Sequence, residues 1–203
     1  MGKFNAFRFE IDTRDLDKFK PLLSGKELFK VLDGGMRYAS KSTGPAVGKQ
    51  ISQRYSIGSR RVQADVRGPY ITSNAPEIES KIYFSRRPPT GMQYRPRQTR
   101  SGVDFRFFKG EKTSVRGAFL QTVKGNRLAF KPDRSKLQKP QPGRNKPRFA
   151  LKTIYGPSVG SMYLGDSRHG VEIRQNVDKR INEQFSKGIE RKLKSMLRGY
   201  GFK

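Results

Sequence analysis

Gly102-Val103-Asp104-Phe105-Arg106-Phe107-Phe108-Lys109-Gly110-Glu111-Lys112-Thr113-Ser114-Val115-Arg116-Gly117-Ala118-Phe119-Leu120-Gln121-Thr122-Val123-Lys124-Gly125-Asn126-Arg127-Leu128-Ala129-Phe130 decides the fold class of this chain. Its opening residues alternate apolar and polar, which sets Val103, Phe105 and Phe107 on one face of a strand. Residues 109–112 read as a turn and 115–123 as the return strand. Lys124-Gly125-Asn126 reads as a second turn and residues 127–130 as a third strand. The small pair Gly117-Ala118 beside Phe119 predicts a second backbone approaching closely. The expectation is a small antiparallel meander, with the rest of the chain packed on it or hung from its edges.

Upstream, Phe7, Phe9 and Ile11 alternate as in a strand. Asp12, Thr13, Asp15 and Asp17 suit the start of a helix, where caps and carboxylates are favoured, and Pro21 limits it. Ser24 with Glu27 three residues on is a capping-box pattern. Leu28, Leu32, Met36, Ala39, Thr43, Val47 and Ile51 then recur at helical spacing. Gly34-Gly35 and Gly44-Pro45 interrupt them, and Pro45 predicts a kink or break. Residues 59–66 suit a short helix, and Gly68-Pro69 closes this half of the chain. Residues 79–85 read as a strand burying Ile82 and Phe84.

Residues 86–100 hold five Arg, three Pro and no acid. Residues 131–148 hold seven Lys or Arg, four Pro and one Asp. Neither composition builds a core, so both are expected as exposed arms, spanning about 86–101 and 131–148. Between and after them, residues 149–155 read as a strand, Gly156-Pro157-Ser158 as a turn and residues 159–170 as a Gly-rich loop. Ile173, Val177, Ile181, Phe185, Ile189, Leu193 and Leu197 form the strongest helical stripe. Steps of four advance about 40° per repeat, so the stripe spirals across several partners. Glu183–Lys187 and Glu190–Lys194 suit i, i+4 pairs, and Gly199 and Gly201 end the helix.

These elements give an α+β expectation for one domain, residues 1–203. It comprises a small antiparallel β-sheet packed by a long C-terminal amphipathic helix and N-terminal helices, with extended basic Pro-rich arms. Phe105, Phe107, Phe119, Leu128 and Ile154 are expected to share one core with Ile181, Phe185 and Ile189.

The chain has 203 residues, no Cys and a net charge of +27. No thiolate zinc site, disulfide frame or Cys nucleophile is available. No apolar run approaches a membrane span and no signal-peptide pattern opens the chain, so a soluble intracellular product is expected. The charge is uneven: +1 over residues 1–33, +21 over 34–171 and +5 over 172–203. Such a field favours nucleic acid or another acidic surface. The candidate contacts are Arg86, Arg87, Arg95, Arg97 and Arg100 in the first arm. In the second they are Lys131, Arg134, Lys136, Lys139, Arg144, Lys146 and Arg148. Arg and Lys grip phosphate without reading sequence, and Tyr94 among the arginines suits stacking on a base or an Arg. Contact with neighbouring subunits is the other use of such arms.

Three catalytic or metal patterns carry less. Glu79-Ser80-Lys81 has the Glu-x-Lys spacing of metal-dependent nucleases, with Asp65 upstream. That tripeptide is common by chance, and Asp65 falls in an expected helix. His169, the single His, has no Ser–His–Asp partner and reads as a solvated loop residue. Asp12, Asp15 and Asp17 are accounted for by capping. No catalytic, cofactor or metal residue is expected.

The order of pieces resembles the minor tail protein Z family of tailed bacteriophages, also described as tail completion proteins. The resemblance spans roughly residues 25–200. It is carried by the helical region through Gly48-Lys49-Gln50-Ile51, then Tyr55-Ser56-Ile57 and Arg60-Arg61, then Ile82-Tyr83-Phe84-Ser85. Gly102-Val103, Arg116-Gly117-Ala118-Phe119-Leu120 and Leu151-Lys152-Thr153-Ile154-Tyr155-Gly156-Pro157-Ser158-Val159 follow, leading to the terminal helix. The resemblance implies an unbroken first helix, against the interruption at Pro45. It also implies a non-enzymatic virion protein, made in the host cytoplasm, that completes the head-proximal end of the tail and helps head–tail joining. A homo-oligomer, most simply a hexameric ring, neighbouring tail and neck proteins, and phage DNA in the channel are the implied partners, with no membrane. The rivals from other classes are a free nucleic-acid-binding protein and the Glu79 nuclease.

Overall fold

The structure, a computed structural model, describes residues 4–8, 24–74, 77–138 and 148–199. It is an α+β fold whose described strands form three antiparallel three-stranded sheets. The chain divides into two compact units. The first holds Met1–Ile51, Gly58–Arg86 and Val159–Lys203; the second holds Ser52–Ile57 and Arg87–Ser158.

Helix α1 (Gly25–Arg54), all but its last three residues in the first unit, begins on the expected capping box. Glu27 Oε2 accepts from Ser24 N at 2.9 Å and from Ser24 Oγ at 2.8 Å, which satisfies a backbone donor at the helix start. The helix runs through Pro45 without a break, correcting the expected interruption. Pro45 and Lys41, whose carbonyl loses its donor, are both exposed, so water can serve that carbonyl. Gly44 has no Cβ to clash with the proline ring. Strands β1 (Phe4–Arg8), β2 (Val66–Asn74) and β3 (Glu77–Ser85) form a sheet in the order β1-β3-β2. Ile82 and Phe84 are buried as expected. β2 runs through Gly68-Pro69, which was expected to close this half of the chain; the dipeptide sits at a register irregularity between Arg67 and Tyr70. Helix α2 (Ser59–Ala64) precedes it.

Helix α3 (Val159–Leu164) occupies part of the expected Gly-rich loop, and it buries Val159, Met162 and Tyr163. Tyr163 stacks on Phe84 with centroids 4.7 Å apart. Helix α4 (Arg168–Gly199) buries Ile173, Val177, Ile181, Phe185 and Ile189. It meets α1 through glycines. A Cβ at Gly35 would lie 2.8 Å from Ile189 Cγ1, and one at Gly188 would lie 2.9 Å from Gly35 Cα. Gly35, expected as an interruption, is thus the contact point between the two longest helices. Neither Glu183–Lys187 nor Glu190–Lys194 forms an ion pair; Arg168–Glu172 does, at 3.3 Å. His169 lies in the first turn of α4 and is half-buried, not in a solvated loop. The expected helix that starts over residues 12–17 and is limited by Pro21, and the far end of the first strand, Phe9 and Ile11, lie outside the described residues.

The second unit contains strands β4 (Arg97–Gln98), β5 (Gly102–Phe105) and β6 (Thr113–Arg116) in one sheet. Strands β7 (Phe119–Val123), β8 (Asn126–Gln138) and β9 (Arg148–Thr153) form another. The expected return strand over 115–123 is therefore two strands in different sheets. Gly117, at φ +73°, makes the turn between them, with its N–H donating to Ser101 O at 2.8 Å. A Cβ on Gly117 would meet open space, so its role is the left-handed backbone rather than close approach. The close approach falls at Gly102, where a Cβ would overlap the Val115 carbonyl oxygen. Lys124 and Gly125, both at positive φ, close the β7–β8 hairpin as a two-residue turn, the geometry that matches strand twist.

The second unit's core is Val103, Phe105, Ala118 and Ala129, with Phe107, Val115, Leu120 and Ile154 packed against it. Phe105 and Phe107 stack at 5.3 Å. The expectation of one core shared with α4 is corrected: Ile181, Phe185 and Ile189 belong to the first unit, where Phe185 and Ile189 lie against Gly35 of α1.

Candidate polyanion-binding surface

The first expected arm, apart from Arg86, is folded into the second unit. Gly91–Tyr94 is a 3₁₀ turn, and Gly91 N donates to Ile154 O at 2.8 Å. Tyr94 is fully buried, contacts Phe107 edge-on at 5.0 Å and donates its hydroxyl to Pro157 O at 3.1 Å. A base-stacking role for Tyr94 is thereby withdrawn, because its ring is walled in; a Cβ on Gly156 would overlap it. The aromatic and the turn hold the segment down, while Arg86, Arg87, Arg95, Arg97 and Arg100 all stay exposed. Arg97 stands opposite Asp104 across β4 and β5. Asp104 accepts from Ser114 Oγ at 2.6 Å and lies 3.0 Å from Lys112 Nζ. The Ser114 hydrogen bond, then Lys112, hold its carboxyl below the usual range, with Arg97 adding to the effect.

The second expected arm is in part the long strand β8. Lys131, Arg134 and Lys136 lie on it, exposed, and Arg148 opens β9. Lys139, Arg144 and Lys146 lie outside the described residues. The ladder was illegible in the composition because backbone hydrogen bonds to β9, not apolar side chains, hold this segment. Register runs from Phe130↔Thr153 to Asp133↔Ala150 and resumes at Leu137↔Phe149. Arg134, Ser135 and Lys136 therefore have no residue opposite them and form a bulge. Asp133 closes the bulge: its Oδ1 accepts from Ser135 N at 3.2 Å and from Ser135 Oγ at 2.6 Å. Those bonds, aided by Lys136 and Lys152, lower its pKa.

Strand alternation sets Ala129 into the core and Lys131 two residues on along the same face, beyond the core's edge. Lys131 stands directly opposite Lys152, a like-charge pair that disfavours the ladder unless an anion lies near. Here a cavity of about 760 Å³ opens, lined by Ser101, Arg116, Gly117 and residues 131–135 with Lys152. Ser101, Arg116 and Lys152 were not among the sequence candidates. Nothing short of the β8–β9 register and the Gly117 turn brings them beside Lys131 and Arg134.

The nuclease constellation is not assembled. Asp65 caps α2, pairs with Arg61 at 3.2 Å and accepts from Ser85 N through its carbonyl. Glu79 stands six residues from Ser85 on β3, opposite Thr72, about 20 Å along the strand at ~3.3 Å per residue. Glu79 and Lys81 pair with each other at 2.6 Å. Among the described residues no group of three His, Cys, Asp or Glu could hold a metal, and no helix is long and apolar enough to cross a membrane. Compared with known protein families, with curated proteins and with solved structures, the chain matches none.

Proposed function

We propose that this chain is a non-catalytic structural protein of a bacteriophage tail or neck. It completes the head-proximal end of the tail and helps join it to the head. It acts as a homo-oligomeric ring among neighbouring tail and neck proteins, with its exposed cations toward subunits and the DNA path. The order of sequence pieces supports the position. The observation that carries the polyanion contact is the charge division between the units. The second unit holds 19 basic and 3 acidic side chains, a net of +16, whereas the first holds 25 and 14. Cations segregated this way repel one another unless a polyanion offsets them.

The test is particle imaging with the chain carrying a C-terminal label. Density for several copies around the tail axis below the head is the expected result. Absence of the chain from purified particles, with free protein bound to host nucleic acid, would replace this reading by that of a free nucleic-acid-binding protein. That second reading draws on the same +16 unit.

A further inference from the structure

We infer that the cavity between the Gly117 turn and the β8 bulge binds phosphate groups of a nucleic-acid backbone through Arg116, Lys131, Arg134 and Lys152. It builds on the polyanion-contact reading and gives that contact an address. The four cations come from three separate strands, β6, β8 and β9, so only the folded unit gathers them. None of the four engages in an ion pair among the described residues. Asp133, the carboxylate among the described lining residues, accepts from Ser135 through Oδ1 and offsets one of the four positive charges, leaving the lining cationic. Lys131 and Lys152 are held face to face by strand register, a geometry that an anion between them relieves. The guanidinium groups of Arg116 and Arg134 in the lining offer planar donor forks suited to phosphate oxygens.

The size favours a chain over a small ion. A volume of about 760 Å³ far exceeds the roughly 10–15 Å³ that one water needs on the same measure, leaving room for a phosphodiester with its sugar. The unit that holds the cavity carries a net charge of +16, which suits an extended polyanion. Among the described residues no aromatic lines the cavity, so contact is expected to be indifferent to base sequence.

The test measures binding of a fluorescein-labelled 20-nucleotide single strand, and of its duplex, across a KCl series. Wild type is compared with Lys131→Gln/Arg134→Gln/Lys152→Gln and with a charge-matched control, Lys109→Gln/Lys124→Gln/Arg127→Gln. All six positions are exposed and in the same unit. The cavity variant should lower the slope of log K against log salt by about 0.7–0.9 per lost contact and weaken binding about tenfold at fixed salt. The control should lose less than about a third of that slope change. Equal losses in both variants would overturn the site in favour of diffuse charge. Wild-type protein that binds tripolyphosphate but neither oligonucleotide would overturn the nucleic-acid source. Thermal melting of each variant, and the single exposed change Lys152→Gln, separate lost contact from lost fold. The imaging experiment is independent: the chain can prove absent from the tail with this cavity intact, or present there with the cavity silent.

Discussion

Gly102 and Gly117 flank the same hairpin and are glycine for opposite reasons. At Gly102 a side chain would strike the Val115 backbone, so Gly102→Ala should cost about 1–3 kcal/mol through overpacking. At Gly117 space is open and only the positive φ resists, so Gly117→Ala should cost roughly 1–2 kcal/mol. Urea midpoints with unchanged slopes would show both, and a loss at Gly117 well above about 2 kcal/mol would contradict a purely conformational role there.

Carboxylates separate by sign in the same way. Asp33 accepts from Arg37 Nε at 2.8 Å and from Ser73 Oγ at 2.6 Å, and these bonds, Arg37 first, hold its pKa below 3.8. Its stabilisation is present above that value and is lost as pH falls through the lower folded value. Asp178 is the reverse: burial raises its pKa above 3.8, only partly opposed by Arg174, and it also faces Tyr163. The folded state holds that proton more tightly, so stability falls as pH rises from 3.8 through the raised value. Asp178→Asn should therefore raise the melting temperature at neutral pH, and Asp33→Asn should lower it. Scans at neutral and acidic pH check both signs, and the two differences should shrink at low pH.

At the scale of elements, α4 grades from buried to wet along its stripe. Phe185 is 3% exposed and Leu197 49% exposed. Phe185→Ala should cost about 3–5 kcal/mol, and Leu197→Ala well under half of that. The α1–α4 contact depends on Gly35 and Gly188 lacking side chains. Gly188→Val would push against Tyr38 Cβ and the Gly35 backbone and should cost about 1–3 kcal/mol despite the better helix former. Helix ellipticity during thermal unfolding measures each; a stabilised Gly188→Val protein would mean that the contact is loose.

For the whole molecule the governing quantity is +27 on 203 residues. Such a chain resists self-association at low salt because its copies repel, and added salt or polyanion screens the repulsion. If the protein forms the proposed ring, sedimentation should show the oligomer fraction rising with ionic strength or with added oligonucleotide. A monomer under all these conditions, together with single copies in particles, would remove the ring from the proposal.

Local order was legible because it depends on neighbours in the chain. The Ser24–Glu27 cap, the alternation that buries Val103 and Phe105, the buried pair Ile82 and Phe84, and the α4 stripe each express a period or a cap within a few residues. Net charge, its uneven placement and the exposed arginines were equally plain, since composition alone carries them. Tertiary structure decided the rest, because burial and register depend on partners distant in sequence. It drew Tyr94 into a core under an Arg-rich segment, split one apparent strand at Gly117 and carried α1 through Pro45. It turned Gly35 from a helix breaker into a helix contact, and placed α4 in a different unit from Phe105. It alone set Lys152 opposite Lys131 and brought Arg116 beside them, because strand pairing, not spacing along the chain, decides which cations share a cavity.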